Sequence, residues 1–319
     1  MRDAFEHFRL SPAFEPRVHF PPQTVWHDNP GNVWLAYRRD AEKEWRVRPT
    51  DVLFLSGRDW TVLTPAERAS PPVPILAIAQ PRHADPKDDR HEFLAHRAIR
   101  IVKSSVGKSM IERAGANGPV VLIPDSIDTS LLPPPNAAPD IDVLIVGLKR
   151  PEFAVALKKS IDEESRFRAL RLRVEVQIPP KLPTRADFLK LLNRAKVAVF
   201  LPLEAERGAE GFYLPALEGM AMGKLVVCPD ATGNVDFCIP GKTCIQPKDD
   251  ARSFLDAVYD AVRMPDAQRR AMLGAARAIV ANHTIERERA AMLDLLHGAD
   301  EVWRDERLFR TRARSSSPG

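Results

Sequence analysis

Short runs of aliphatic and β-branched residues recur along the chain, and turn residues separate them. In the first half the runs are continuous rather than alternating, which is typical of strands that are covered on both faces. The predicted strands here are Asp51–Ser56, Pro74–Ala79, Ile99–Lys103 and Val120–Ile123. Helices are predicted at Asp88–Arg97 and Val106–Arg113, and the proline-rich first fifty residues predict turns with a strand or two.

The second half alternates strands and helices more regularly. The predicted strands are Ile141–Gly147, Leu172–Ile178, Val197–Leu203, Leu225–Cys228 and Thr243–Gln246. The predicted helices are Pro151–Glu164, Arg185–Arg194, Tyr213–Met222, Ala251–Val262, Pro265–Ala281 and Ile285–Leu296. Strand–helix alternation of this length predicts a doubly wound parallel sheet, in which ligands bind at the carboxyl ends of the strands.

A proline-rich connector, Leu132–Asp140, lies between the two halves. Three consecutive prolines continue neither a helix nor a central strand, so this stretch is expected to be stiff and extended. The pattern predicts an α/β fold of two halves, the second of which is a doubly wound parallel sheet. The predicted domains are 1–134 and 135–283, followed by 284–319.

Composition is that of an ordinary globular protein, with 44% hydrophobic and 28% charged residues. The first residues, MRDAFEHFRL, lack the apolar run of a signal peptide, and no stretch approaches ~18 uncharged apolar residues. We therefore expect a cytoplasmic protein. The three cysteines form no C-x-x-C pair and no cluster with histidines, so we expect reduced, buried thiols and no metal site.

The net charge of +4 comes from 47 basic and 43 acidic residues. This near balance argues against nucleic acid as a partner, because a phosphate backbone demands a basic face. The stretch Trp303–Gly319 is the exception, with five arginines against Asp305 and Glu306. It predicts a frayed basic tail, and contact of this tail with the inner face of a membrane stays open as an alternative.

Three motifs for other enzyme classes fail on spacing. Residues 106–109, VGKS, end like a phosphate-binding P-loop but have Val102 where the first glycine is required. His91 and His96 are five apart, so they do not share a helix face as zinc-protease ligands do. The chain has no G-x-G-x-x-G, which argues against a dinucleotide oxidoreductase.

The motif with consistent spacing is residues 210–223, EGFYLPALEGMAMG, in which seven residues separate Glu210 and Glu218. Pro215 suits the first turn of a helix, so Gly211–Leu214 is expected at a helix N-terminus that follows a strand. Backbone amides and the positive end of the helix dipole suit an anion such as a diphosphate. Two carboxylates beside it are able to accept hydrogen bonds from paired hydroxyls of a sugar ring and a ribose.

This stretch resembles the E-x7-E motif of retaining nucleotide-sugar glycosyltransferases of the GT-B fold, family 4. The resemblance continues downstream through KLVVCP at 224–229 and PGKT at 240–243, and upstream through IPDSID at 123–128. It covers about Asp51 to Arg263. It implies an α/β fold of the GT-B type, in which two Rossmann-like doubly wound domains face a cleft. The short first domain, 1–134, would be on the acceptor side, and the second, 135–283, would bind the nucleotide-sugar donor. Residues 284–319 would form a C-terminal helix that packs back toward the first domain, followed by a basic tail.

By resemblance, Glu210 would contact hydroxyls of the donor sugar and Glu218 the ribose. The amides of Gly211, Phe212 and Leu214 would bind the diphosphate and the sugar.

The resemblance also implies cations for the diphosphate and a histidine near the reacting carbon. Lys149 and Arg150 occupy the place of the family's Gly-Arg and lysine, although in a shifted register. Arg207 is a substitute cation, His83 is the candidate catalytic histidine, and Arg82 is a candidate for a phosphate or acceptor contact.

These residues predict a retaining, metal-independent glycosyltransferase that moves a sugar from a nucleoside-diphosphate sugar to an acceptor hydroxyl, with no cofactor besides the donor. The acceptor is open: a lipid-linked glycan, a polysaccharide, a protein or a small molecule. One alternative is a non-catalytic GT-B subunit that binds nucleotide sugar or a partner. A further alternative is a nucleic-acid-modifying GT-B enzyme.

Overall fold

The computed structural model of the protein describes residues 2–22, 24–26, 32–136, 138–204 and 209–310. The chain divides into two compact units. The first contains the described residues of Met1–Trp26, Ala36–Ile123 and Arg289–Gly319, and the second those of His27–Leu35 and Pro124–Glu288. The domain boundaries were predicted after residues 134 and 283, whereas the units divide after Ile123 and after Glu288.

The first unit is built on a four-stranded parallel sheet whose strand order, β1-β2-β3-β4, follows the chain. Its strands are β1 (Leu53–Ser56), β2 (Ile75–Ile78), β3 (Ile99–Val102) and β4 (Val120–Leu122). Its α-helices are α1 (Arg2–Arg9), α2 (Pro65–Ala69) and α3 (Ser105–Arg113), and, from the C-terminal part of the chain, most of α10 (Ile285–His297) and α11 (Ala299–Arg304). Short 3₁₀ helices lie at Gly57–Val62, Pro81–Ala84, His91–Ala95 and Glu306–Leu308.

The core of this unit is aliphatic and aromatic on both sides of the sheet. Ile99 and Ile101 are fully buried with Met292 of α10 and Ala299 of α11, so the C-terminal helices complete one layer. In another cluster Ile75 packs with residues that include Trp60 and Phe93. The continuous apolar strands are therefore covered on both faces, as their pattern predicts.

The second unit has a four-stranded parallel sheet of order β6-β5-β7-β8. Its strands are β5 (Ile141–Val146), β6 (Val174–Gln177), β7 (Ala195–Phe200) and β8 (Leu225–Val227). Its helices are α4 (Pro151–Glu163), α5 (Ser165–Arg168), α6 (Arg185–Asn193), α7 (Leu214–Ala221), α8 (Ala251–Arg263) and α9 (Asp266–Val280). The strand order reverses at β5, which pairs with β6 on one side and with β7 on the other.

Two hydrophobic clusters form the core of the second unit. Alternate residues of β5 enter different clusters: Leu144 joins the cluster that contains Leu217 and Met220 of α7, and Val143 joins the one that contains Phe254 of α8. Residues 144 and 143 point to opposite faces because side chains alternate along a strand. The predicted α/β fold with two parallel sheets is thus confirmed.

The structure corrects several predicted elements. The predicted helix Asp88–Arg97 is only the 3₁₀ helix His91–Ala95, because the Asp88 carboxylate accepts from the Arg90 N–H (2.9 Å) and holds the chain in a turn. The described residues of the first fifty form no strand beyond a single bridge between His19 and Glu42, and they contain α1, which the pattern did not predict.

In the second unit, one predicted strand ends earlier than its apolar run suggested, and another is not part of the sheet. Strand β7 ends at Phe200, and Pro202 follows closely, where a residue without an N–H ends sheet pairing. Thr243–Gln246 makes only isolated bridges, one of them between Val227 and Ile245, so it is not a further strand of the sheet. All three cysteines are free and buried.

Candidate functional site

The second sheet has a reversal point between β5 and β7, whose carboxyl ends lie side by side. Val146 pairs with Phe200 at this end of the sheet. In doubly wound sheets the crevice outside such a reversal is the ordinary ligand site. The loop after β5 carries Lys149, and the chain after β7 leads to Glu210 and the start of α7.

Lys149 and Glu210 meet at this point, although they are 61 positions apart in sequence. The Lys149 ammonium forms an ion pair with Glu210 Oε1 and lies 5.6 Å from the centroid of the Tyr213 ring. The Leu203 N–H donates to the same carboxylate oxygen at 3.2 Å. Lys149 is 41% exposed and Glu210 12% exposed, so the cation is the group more open to solvent.

The N-terminus of α7 adjoins this pair. Tyr213 is its N-cap and provides no side-chain cap, while its N–H donates to the Gly233 carbonyl at 3.2 Å. Within the described residues, the N–H groups of Phe212 and Leu214 have no hydrogen-bond acceptor. They are therefore available to an anion, which the helix dipole also favours.

Gly233 allows the backbone to pack against this turn. A Cβ at position 233 would lie 2.6 Å from the Glu210 carbonyl oxygen and 2.7 Å from the Phe212 nitrogen. No side chain fits there, so the glycine is required by close backbone approach rather than by its dihedral freedom.

Glu218 lies within α7 and is almost completely buried, at 1% exposure. The Arg185 guanidinium, from the first residue of α6, forms an ion pair with Oε1, while Oε2 has no hydrogen-bond partner among the described residues. Burial, opposed by Arg185, raises the pKa of Glu218 from 4.5 to about 7. An orphaned buried carboxylate oxygen is a place where a donor hydroxyl would be stabilising.

Arg150 is placed differently from its neighbour Lys149. Its side chain is 8% exposed, forms an ion pair with Asp249, lies 3.5 Å from Glu204 and stacks on the Phe153 ring at 4.3 Å. These contacts anchor the start of α4. Arg150, which the sequence suggested as a ligand of the diphosphate, therefore already has an acidic partner in the protein. Arg207 lies outside the described residues.

His83 belongs to the first unit, in the 3₁₀ helix that follows β2, where it is 5% exposed. Its Nδ1 accepts from the Gln80 N–H at 3.3 Å, and burial, followed by the charge of Arg90, lowers the pKa of His83 from 6.5 to about 4. It is therefore a neutral, buried imidazole. The neighbouring Arg82 is half-buried.

Sequence reasoning missed two groups of residues around α7. Arg185 is the first residue of α6 and follows the Thr184 cap. Its only sequence signal is that it follows the carboxyl end of β6, where ligands bind in such sheets. His283 lies 5.6 Å from the Phe212 ring centroid, and its Nδ1 is 3.1 Å from the Asp125 carbonyl oxygen. The segment 123–128 was recognised in sequence, but its contact with a histidine 158 residues away left no local signal.

The same segment is held by a carboxylate. Both the N–H and the hydroxyl of Ser126 donate to Glu288 Oε2, at 3.1 and 2.6 Å. Phe212 also contacts the Phe237 ring at 5.1 Å, so the turn before α7 is supported by aromatic rings as well as by backbone.

Over the described residues, no group of three or more His, Cys, Asp or Glu side chains is arranged to hold a metal ion. The longest described helix has 15 residues, and none combines the length and hydrophobicity of a membrane span.

Residues 132–278 match the family described as "Glycosyl transferases group 1". No curated protein matches the chain. Solved structures with a similar fold include sucrose-phosphate synthase from Thermosynechococcus elongatus, at 16% identity and a TM-score of 0.60, which covers 78% of this chain and 74% of that one.

Two other structures contain nucleotide ligands. HepE from Anabaena in complex with UDP-glucose has 14% identity and a TM-score of 0.54, covering 71% of this chain and 72% of that one. A TarM variant from S. aureus, in a complex that includes UDP, has 13% identity and a TM-score of 0.54, covering 74% of this chain. The chain spans about half of TarM, 52% of its length.

The two parallel α/β sheets share the fold of these GT-B structures, which confirms the expected fold class. The family match covers residues 132–278, which lie within the second unit apart from its first residues and its end.

Proposed function

We propose that the second unit binds a nucleoside-diphosphate sugar at the reversal point of its sheet. The chain then transfers the sugar to an acceptor hydroxyl, with retention of configuration and without a metal, in the manner of family 4. The observation that carries this proposal is the Lys149–Glu210 pair beside the uncapped start of α7.

In this proposal the diphosphate lies against the N-terminus of α7. The N–H groups of Phe212 and Leu214 and the Lys149 ammonium stabilise the negative charge that grows on the departing diphosphate. Preorganised donors of this kind contribute most where charge develops, because they need no reorganisation during the reaction.

The two carboxylates bind the hydroxyl groups on either side of the diphosphate. Glu210, fixed by the Leu203 N–H, accepts from hydroxyls of the donor sugar once Lys149 turns to the phosphate. The unpartnered Oε2 of Glu218 accepts from a ribose hydroxyl. Arg185 keeps the other oxygen of Glu218 in place.

A titration of the chain with UDP and with UDP-glucose tests the donor site. Two structural neighbours were solved with these ligands, which makes them suitable first probes. We expect saturable binding that Lys149→Gln weakens tenfold or more, because the phosphate loses its cation. Lys159→Gln, a charge-matched change on the exposed side of α4, should bind as the unchanged chain does. Equal binding by both variants would remove Lys149 from the site.

Stereochemistry and metal dependence are tested on the products. Proton NMR should show an α-linked product from an α-linked donor, and the rate should be unchanged in EDTA. A β-linked product, or loss of activity that Mg²⁺ or Mn²⁺ restores, would contradict the retaining or the metal-independent part.

A second candidate function is donor binding without turnover. It is favoured by the burial of His83, the predicted catalytic residue of the first unit, whose imidazole is 5% exposed and neutral. A donor that binds but is neither hydrolysed nor transferred to any hydroxyl acceptor would support this candidate. Turnover by the purified chain would exclude it.

The acceptor class, a cytoplasmic location and contact of the basic tail with a membrane stay predictions. Arg312 and Arg314 of that tail lie outside the described residues.

A further inference from the structure

The amino end of the second sheet borders a cavity of about 250 Å³. Ala195 and Leu225, the first residues of β7 and β8, form its floor together with the connector at Asn136. Residues of α9 and of the turn after α7 complete the walls. We propose that this cavity is a second anion site, which takes a small phosphate ester.

The lining residues include four cations, Lys196, Lys224, Arg269 and Arg277, and no carboxylate. Lys196 is the one that has an acidic partner, Asp142, at 2.8 Å. Lys224 Nζ donates to the Asn193 carbonyl at 2.8 Å, and Arg269 donates to the Ala261 carbonyl at 3.2 Å. Across the described ranges, Lys224, Arg269 and Arg277 form no ion pair.

This excess of positive charge is confined in a small, partly buried volume. Lys224 is only 5% exposed, and burial lowers its pKa because the charged form has lost water. The Arg277 guanidinium reaches toward the turn at Gly223, where an added Cβ would lie 3.5 Å from it. A multiply charged anion would offset the repulsion among these groups, and the planar fork of arginine suits phosphate oxygens.

The size and the remaining lining indicate the rest of the ligand. The volume is below the ~300–1,000 Å³ of sites for drug-sized molecules, so it fits a phosphate group with a small organic part. Met222 and Leu273 supply apolar surface for that part. The phosphate can belong to a free metabolite or to a lipid headgroup, since both present the same chemistry.

The cavity is separate from the candidate donor site. The donor site lies at the carboxyl ends of the strands and the cavity at their amino ends. Strand β7 has six residues, so its ends are about 17 Å apart at ~3.3 Å per residue. Binding of an anion in this cavity therefore does not depend on donor binding at the other end of the sheet.

Calorimetric titration with glycerol 3-phosphate, and sedimentation with vesicles that contain phosphatidic acid, test this site. Arg277→Gln removes a rim cation, and Arg270→Gln is a matched control on the exposed side of α9, outside the cavity lining. Lys149→Gln serves as a donor-site control. Hydrogen exchange of α9 and α7 locates the bound probe.

We expect binding that Arg277→Gln weakens tenfold or more and that Arg270→Gln and Lys149→Gln leave unchanged, with new protection in α9 rather than α7. Binding of glycerol 3-phosphate alone supports a free phosphate ester, and vesicle binding that Arg277→Gln abolishes supports a headgroup. The proposal would be overturned if neither glycerol 3-phosphate nor the vesicles bind, or if RNA binds and neither probe does. It would also be overturned if Arg277→Gln binds as tightly as the unchanged chain, or if Lys149→Gln loses binding.

Discussion

The two units share a parallel sheet of four strands but differ in strand order. In the first, the order follows the chain, so the sheet has no reversal. In the second, β5 lies between β6 and β7, so the connections leave in opposite directions, the arrangement that forms the ligand crevice of doubly wound sheets. The candidate donor residues lie at this reversal, so topology rather than composition distinguishes the two units as candidates for the site.

Buried charge is treated differently in the two units. In the first, Arg100 of β3 is 1% exposed and donates only to backbone carbonyls, those of Phe93, Leu94, His96, Ala98 and Asn117. In the second, Glu210 and Glu218 each face a cation that solvent also reaches. The first arrangement fixes a fold, and the second leaves groups that a ligand can engage.

The largest effect is expected from Arg100→Met. The change removes five hydrogen bonds from a buried cation, although the carbonyls of Phe93, Leu94 and Asn117 keep a backbone N–H donor. Loss of charged hydrogen bonds of this kind should lower the free energy of unfolding by about 3–5 kcal/mol. Thermal and urea denaturation measure it. Arg113→Met, an exposed arginine at the end of α3, should change stability by less than about 0.5 kcal/mol. An unchanged free energy of unfolding in Arg100→Met would show that the carbonyls find other hydrogen-bond donors.

Next in size is the effect of the donor-site pair on transfer. Glu210→Gln and Lys149→Gln should each lower kcat/KM by about 10²–10³-fold, the range for loss of one preorganised electrostatic contact. Their unfolding free energy should stay near that of the unchanged chain, unlike that of Arg100→Met. Normal turnover in both variants would separate this pair from the chemistry.

Two buried groups should give opposite pH dependences of stability. The raised pKa of Glu218, about 7 against 4.5, contributes stability that is present below pH 4.5 and is lost as pH rises through 7. The lowered pKa of His83, about 4 against 6.5, contributes stability that is present above pH 6.5 and is lost as pH falls through 4.

Each of these contributions is at most about 3.5 kcal/mol. Urea denaturation between pH 4 and 8 separates them: Glu218→Gln should remove the fall toward pH 7, and His83→Gln the fall toward pH 4. Profiles of both variants that parallel that of the unchanged chain would contradict the assignment.

The smallest effects concern two glycines of the second unit. Gly233→Ala places a methyl 2.6 Å from the Glu210 carbonyl oxygen and should lower the unfolding free energy by about 1–3 kcal/mol. Gly274→Ala meets nothing within 4 Å and lies in α9, so it should raise stability by about 0.5–1 kcal/mol. Calorimetric melting of both variants measures these changes in stability. A stabilising Gly233→Ala would show that the turn before α7 can shift.

Much of the second unit could be predicted from sequence, because its helices other than α5 are 8–15 residues long and begin at a proline or at a side-chain cap. The helix at Pro151–Glu163, for example, begins with proline and ends within one residue of its prediction. The first fifty residues could not be predicted in this way. There, α1 is stabilised by packing in a cluster that includes Met292, a residue near the other end of the sequence.

Of the site, sequence indicated the start of α7 and the cations after β5, but not which cation faces it. Lys149 and Arg150 are adjacent, so only tertiary contacts decide between them: Arg150 pairs with Asp249, and Lys149 with Glu210. Arg185 escaped notice because its carboxylate partner is 33 residues away on another helix.

The ion pair between Lys149 and Glu210 has a consequence for product release under the proposed function. A spent nucleoside diphosphate that draws Lys149 to its phosphates leaves Glu210 with the Leu203 amide and no cation. An intact donor compensates the same carboxylate with sugar hydroxyls. The ion pair that re-forms in the empty site therefore disfavours bound product more than bound donor, which lowers inhibition by the product.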